Sequence, residues 1–226
     1  MLSLPFTGRW LVQNSPARRI PSHGTDLGRA LRHRFVGVDD RNRTARVRDW
    51  RTILATEPPD RFVGFGRPVL APADGVVVGV HDGEIDHVGR RSQLSLIRYV
   101  LGQRSRLRKG IGAIAGNHLI ITLPDAGVFV ALVHLQAGSL CVAVGEEVTT
   151  GQPIADCGNS GNSTEPHLHV QVMDDADQSV ARGVPMSFRH FRERARGARH
   201  PVIRRTGIPG EGAVVEPVTA ATVEGS

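Results

Sequence analysis

With 226 residues, 40% of them hydrophobic, the chain has room for one domain with a tail and can bury a substantial core. Its net charge of +6 favours anionic partners (teichoic acids and other wall polymers, acidic peptide stems, nucleic acid) or an arginine-rich solvated surface, while 4% aromatics without basic/aromatic interleaving argue against a platform for stacking single-stranded bases. Two cysteines, Cys141 and Cys157, exclude a disulfide framework and a Cys-x-x-Cys zinc ribbon; both stand in apolar strand contexts and are expected as buried free thiols.

Glycines, prolines and short Val/Ile/Leu runs predict a turn-rich, mainly β architecture. The N-terminal stretch MLSLPFTGRWLVQNSPARR has no basic segment followed by an apolar one, and no run reaches the length of a membrane helix. The expectation as written is a cytoplasmic protein, or one of the cell wall or extracellular space if an export segment is missing. Leu4–Gln13 reads as an opening strand with Trp10 and Val12 on one face. SHGTD follows, with His23 and Asp26, then a strand at Phe35–Asp39. Residues 40–59 read as charged loop with some helix near 49–55. Phe62–Val80 is a β unit with an Asp74-Gly75 turn.

Residues 81–115 interrupt the β pattern. Ser92 is a candidate N-cap, Leu94, Ile97 and Leu101 recur at helical spacing, and Gly102 is a stop. A short, solvated helical insertion is expected. Asn117–Thr122 and Val128–Leu135, joined at Pro124–Gly127, predict a hairpin. Two segments, RPVLAPADGVVVGV and QPIADCGNSGNS, loosely repeat a proline-led apolar run with a glycine turn. A short basic helix is expected over Ser187–Arg196 and a disordered tail over 196–226, giving a domain of 1–195.

The densest chemistry lies in GNSGNSTEPHLHVQVM, Gly158–Met173. A polar loop ends at Pro166 and opens His167-Leu168-His169. Strand alternation puts both imidazoles on one face, a spacing that suits one ligand and one partner to a metal-bound water. His134 on VALVHL and His23 after a turn complete the histidines that stand in ordered contexts. Few protein ligands, an open position and nearby imidazoles describe a hydrolytic zinc centre.

RPVLAPADGVVVGV, GNHLIITLPDAGVFVALVHL and VGEEVTTGQPIADCGNSGNSTEPHLHVQV, in this order and spacing, resemble the lysostaphin-type zinc metalloendopeptidases that cut peptidoglycan peptides. The resemblance spans about Trp10–Met173 without the 40–59 and 81–115 insertions. It implies a β-sandwich of the duplicated hybrid motif (barrel-sandwich hybrid) type, Zn2+ as cofactor, and peptidoglycan peptide stems or cross-bridges as substrate. A monomer without specific nucleic-acid binding is expected. The resemblance further implies His23 and His169 as zinc ligands, and His167 and His134 as the catalytic pair. A non-catalytic family member that binds wall peptides or regulates a hydrolase is the alternative; a lipoyl-type carrier is disfavoured, because the only lysine, Lys109, lies in a basic run.

One position departs. The family supplies an aspartate ligand in a segment like Tyr-Ala-Ile-Asp-Phe-Val. The matching stretch here is Leu31-Arg32-His33-Arg34-Phe35-Val36, and a guanidinium stays protonated and cannot ligate zinc. Asp26 is the replacement candidate for the third ligand, and His33 a weaker one. Ala30–Arg34 can be encoded GCG CTA CGC CAT CGA. Read one base later, that string gives Arg-Tyr-Ala-Ile-Asp if the next base is a pyrimidine, and the working hypothesis is that a pair of compensating frameshifts removed the aspartate.

Overall fold

The structure, a computed structural model, describes residues 1–16, 31–47, 56–89 and 115–219. Thirteen strands are present among them: β1 Leu2–Ser3, β2 Trp10–Gln13, β3 Arg32–Gly37, β4 Pro68–Leu70, β5 Gly75–His81, β6 Asn117–Leu123, β7 Val128–Leu135, β8 Glu147–Val148, β9 Pro153–Asp156, β10 Leu168–Met173, β11 Phe188–Arg194, β12 Val202–Gly207 and β13 Val214–Pro217. Eleven form one curled sheet in the order β1-β11-β13-β2-β3-β10-β7-β6-β5-β8, with β12 on β11; β4 and β9 pair apart from it. Among the described residues no helix is long and apolar enough to cross a membrane.

Alternation explains how the layers meet. Trp10 and Val12 of β2, Phe35 of β3, Leu168, Val170 and Val172 of β10 and Val130 and Leu132 of β7 all point inward and are buried. They join Val69 of β4 and Ile154 and Ala155 of β9 in one core cluster. A side chain at every second position thus binds the small sheet to the large one, which is the sandwich the resemblance implies. The two loosely repeated segments supply β4 and β9, and those strands pair with each other, Val69 opposite Ala155. The hairpin forms as expected: β6 and β7 are bonded from Asn117–Leu135 to Leu123–Val128, and Gly127 closes the turn at φ +61°.

The C-terminal third differs from expectation. Ser187–Arg196 is not a helix; β11 occupies Phe188–Arg194. Nor is the stretch after 196 a structureless tail as far as the described residues run, because β12 pairs with β11, and β13 bridges β11 to β2. The reason is burial: Phe188, Phe191 and Val215 are fully enclosed in the main core, and their apolar area outweighs the polar composition between them. The folded unit therefore passes the boundary expected at 195. Cys157 is buried, but Cys141 is exposed. The helices expected near 49–55 and 92–101 fall outside the described residues.

Candidate metal centre

Three strands meet at the site, with register that fixes their faces. Leu168, His169, Val170 and Gln171 of β10 lie opposite Phe35, Arg34, His33 and Arg32 of β3, and His169 lies opposite Val133 of β7. His169 and Arg34 therefore share the face turned away from the main core, while His33 shares the core face with Phe35.

His134 reaches the site by a break in alternation. Asn117 pairs with Leu135 and His118 with Val133, so His134 is an extra residue in β7. Its φ is +65°, a left-handed conformation that a non-glycine residue adopts at a cost of about 1 kcal/mol or more. Such a bulge re-aims one side chain without displacing the rest of the strand. Its carbonyl is held by Gly158 N–H at 3.0 Å. That approach needs glycine, since a Cβ at 158 would lie 2.4 Å from the Gln136 backbone.

The loop before β10 is fastened from below. Ser160 Oγ donates to Leu135 O at 2.7 Å and accepts from Asn117 N–H at 3.0 Å. The Asp86 carboxylate accepts from Asn159 N–H at 2.6 Å and Ala137 N–H at 3.0 Å. Carbonyls of this loop then set the imidazoles. His134 Nδ1 lies 2.9 Å from Ser160 O; His167 Nδ1 lies 2.7 Å from Glu165 O and 2.9 Å from Ser163 Oγ. A carbonyl only accepts, so each Nδ1 carries the proton and each Nε2 keeps its lone pair.

The result is a tight trio. Ring centroids are 4.6 Å apart for His134 and His167, 5.0 Å for His134 and His169, and 4.5 Å for His167 and His169. One ligand nitrogen from each lies within 4.8 Å of the other two. Neutral imidazoles with oriented outer nitrogens suit zinc, so these residues fit a divalent metal.

Arg34 is the discordant member. It stands directly across from His169, and its Nη2 donates to Glu165 Oε1 at 3.0 Å, with both side chains largely shielded from solvent. A fixed positive charge thus borders the imidazole trio where the resemblance implies a carboxylate. His33, the weaker ligand candidate, is excluded: it is fully buried on the core face, stacked on Phe35 and edge-on to Phe188. Burial pushes its pKa down to about 4. His23 and Asp26 lie outside the described residues.

Sequence reading missed Glu165 as the partner of Arg34, and Ser160 and Ser163 as orienting residues. Glu165, two residues before His167, offered a weak signal. The carbonyl contacts offered none, since every residue carries that group.

The model of peptidase family M23 matches residues 60–181, more than half of the chain. The chain belongs to peptidase family M23. The matched stretch takes in all three clustered histidines and begins beyond Arg34. No curated protein sequence matches the chain. Similar solved structures include the catalytic domain of the antimicrobial peptidase lysostaphin from Staphylococcus simulans, at 24% identity over 53% of this chain and 68% of that one, TM-score 0.35. A zinc-containing peptidase from Vibrio cholerae is 22% identical over 66% of this chain and 37% of its own, TM-score 0.35. The mutant catalytic domain of the prophage-encoded M23 protein EnpA from Enterococcus faecalis is 20% identical over 67% and 85%, TM-score 0.36. This M23 chain thus spans little more than a third of the Vibrio protein.

Proposed function

We propose that this M23 chain is a zinc-dependent endopeptidase of peptidoglycan peptide stems or cross-bridges, weakened by the guanidinium of Arg34. The observation that carries the reading is the convergence of His134, His167 and His169 within ligand distance of one another. His169 would hold the metal, with His23 and Asp26 as further ligands. Zinc, when bound, supplies electrophilic activation of the scissile carbonyl and of water.

The chain's own residues supply the proton handling. His167 Nε2, left basic by the Nδ1 contact to Glu165 O, takes a proton from the attacking water. His167 returns that proton to the leaving amine as the carbon–nitrogen bond breaks. His134 Nε2, basic for the same reason, accepts the remaining proton of the attacking water as the carboxylate forms and passes it to the amine product. The carbonyls of Glu165 and Ser160 stabilise both rings as they become cationic. Such a substrate lies in the cell wall, so the reading places the working protein there.

A second reading is favoured by one observation, the Arg34–Glu165 ion pair beside His169. Under it the chain binds wall peptides without cutting them. Zinc content and release of peptides from purified peptidoglycan, for wild type and Arg34→Asp, separate the two. Activity that needs zinc and rises in Arg34→Asp supports the peptidase. Wall binding with neither zinc nor cleavage in either form supports the binder.

A further inference from the structure

The face of the sheet that carries His169 and Arg34 does not end at β3. Register carries it outward: Arg34 lies opposite Gln13 of β2, Leu11 opposite Val214 of β13, and Val214 and Glu216 opposite Arg194 and Arg192 of β11. A local backbone irregularity precedes this run: His190 has φ +50°, and the ladder to β12 resumes beyond it in unchanged register, Arg189 opposite Thr206 and Phe191 opposite Arg204. Beyond it, Phe191 and Glu193 are buried, and Arg192 and Arg194 fall on the site face.

There they line a cleft of about 300 Å3 with Arg9, Pro201, Val214 and Glu216. Among the described residues three arginines and one acid, Glu216, line it; Glu216 pairs with Arg192, and the Arg9 guanidinium also donates to Asp40 O and Asn42 Oδ1. The surroundings reinforce the sign: seven arginines and a single acid lie between Ser187 and Arg205.

We infer that this cleft binds a phosphodiester-linked wall polymer, on the same sheet face as the histidine trio. The inference rests on the proposed action on cell-wall material and extends it to a second, anionic component of that wall. The chemistry favours phosphate. Guanidinium forks bind phosphate oxygens in pairs, and Arg192 and Arg194, two residues apart on a strand, present their charges at a repeat of about 7 Å. A lone peptide carboxylate neutralises one guanidinium and leaves the cleft cationic; a chain with a charge at each short repeat neutralises both. Among the described residues the cleft is lined by no aromatic side chain, so these offer bases no stacking surface, and its size admits a thin polyol–phosphate chain more readily than a base-bearing one. Strand β11 lies four places from β10 in the sheet, about 19 Å away. One wall fragment can therefore span both sites.

The test is titration of the full chain with poly(glycerol phosphate) against single-stranded DNA and poly-glutamate of equal charge. Binding to poly(glycerol phosphate) is expected to be at least about tenfold tighter than to either control, and to weaken about 15-fold as salt rises from about 50 to about 200 mM. Arg192→Gln with Arg194→Gln weakens it about tenfold. Glu216→Gln, which removes the competing carboxylate, tightens it about threefold, a gain that misfolding cannot mimic. His169→Ala binds as wild type, so failure of the peptidase reading and failure of the cleft are told apart. Equal affinity for DNA or poly-glutamate, or no tightening in Glu216→Gln, overturns the assignment.

Discussion

β10 and β3 run side by side, paired from Leu168–Phe35 to Gln171–Arg32, and they make opposite use of the same alternation. On β10 every residue suits its face: Leu168, Val170 and Val172 enter the core, and His169 faces the site. On β3, three successive residues conflict with theirs. Arg32 is buried enough to lower its pKa. His33 sits in an aromatic core with neither ring nitrogen bonded among the described residues. Arg34 points a cation at a metal-type site. A strand that agrees with its surroundings at each position beside one that disagrees at three in a row marks a local change to β3, not a differently built fold. The one-base-shifted reading would place alanine, isoleucine and aspartate at positions 32, 33 and 34. Each matches what the face around it requires.

The largest effect should come from the intact strand's side of the site. His167→Ala should lower peptide release by about 10²–10⁴-fold, read as peptide release from purified walls at saturating zinc. Loss under tenfold would remove His167 from proton transfer. Arg34→Asp comes next and acts on the damaged strand. Its expected gain in zinc affinity is tenfold or more, because a repelling cation is replaced by a hard oxygen donor.

His33→Ile tests the core face of β3. The folded chain holds His33 neutral, with a pKa near 4, against about 6.5 when unfolded. As pH falls from about 6.5 to 4, the unfolded chain takes up a proton that the folded chain refuses, so stability drops by about 3 kcal/mol. His33→Ile should flatten that slope and add about 1–3 kcal/mol at neutral pH by removing unbonded polar atoms from the core. Urea unfolding at several pH values reads both; an unchanged slope would place His33 in contact with solvent. The smallest effect is expected from Ser163→Ala, which leaves the Glu165 carbonyl on His167 Nδ1 and should cost about tenfold in peptide release, mainly in kcat.

Much of this was legible before the fold was known, for particular reasons. The Pro166 loop, His167-Leu168-His169 and VALVHL carry chemistry in residue types, so their roles survive without coordinates. The β6–β7 hairpin was readable from its turn residues and apolar runs. β11 was not: arginine-rich Phe188–Arg194 imitates a basic helix, and the left-handed backbone at His190 breaks the strict alternation between Phe188 and Phe191, both of which are buried. β12 and β13 were lost for a related reason, since four- to six-residue strands among prolines and glycines draw their burial from distant partners. The bulge at His134 was likewise invisible, because its left-handed backbone is imposed by Gly158 and β6, not by histidine itself.

The central claim is that His169, flanked by the proton-handling His134 and His167, belongs to a working metal site hindered by Arg34. Isothermal titration of metal-free protein with zinc, wild type beside Arg34→Asp, addresses it most directly. The account predicts one zinc per chain in both, bound at least about tenfold more tightly by the aspartate variant. Equal affinity in the two proteins, or no zinc bound by either, would contradict it.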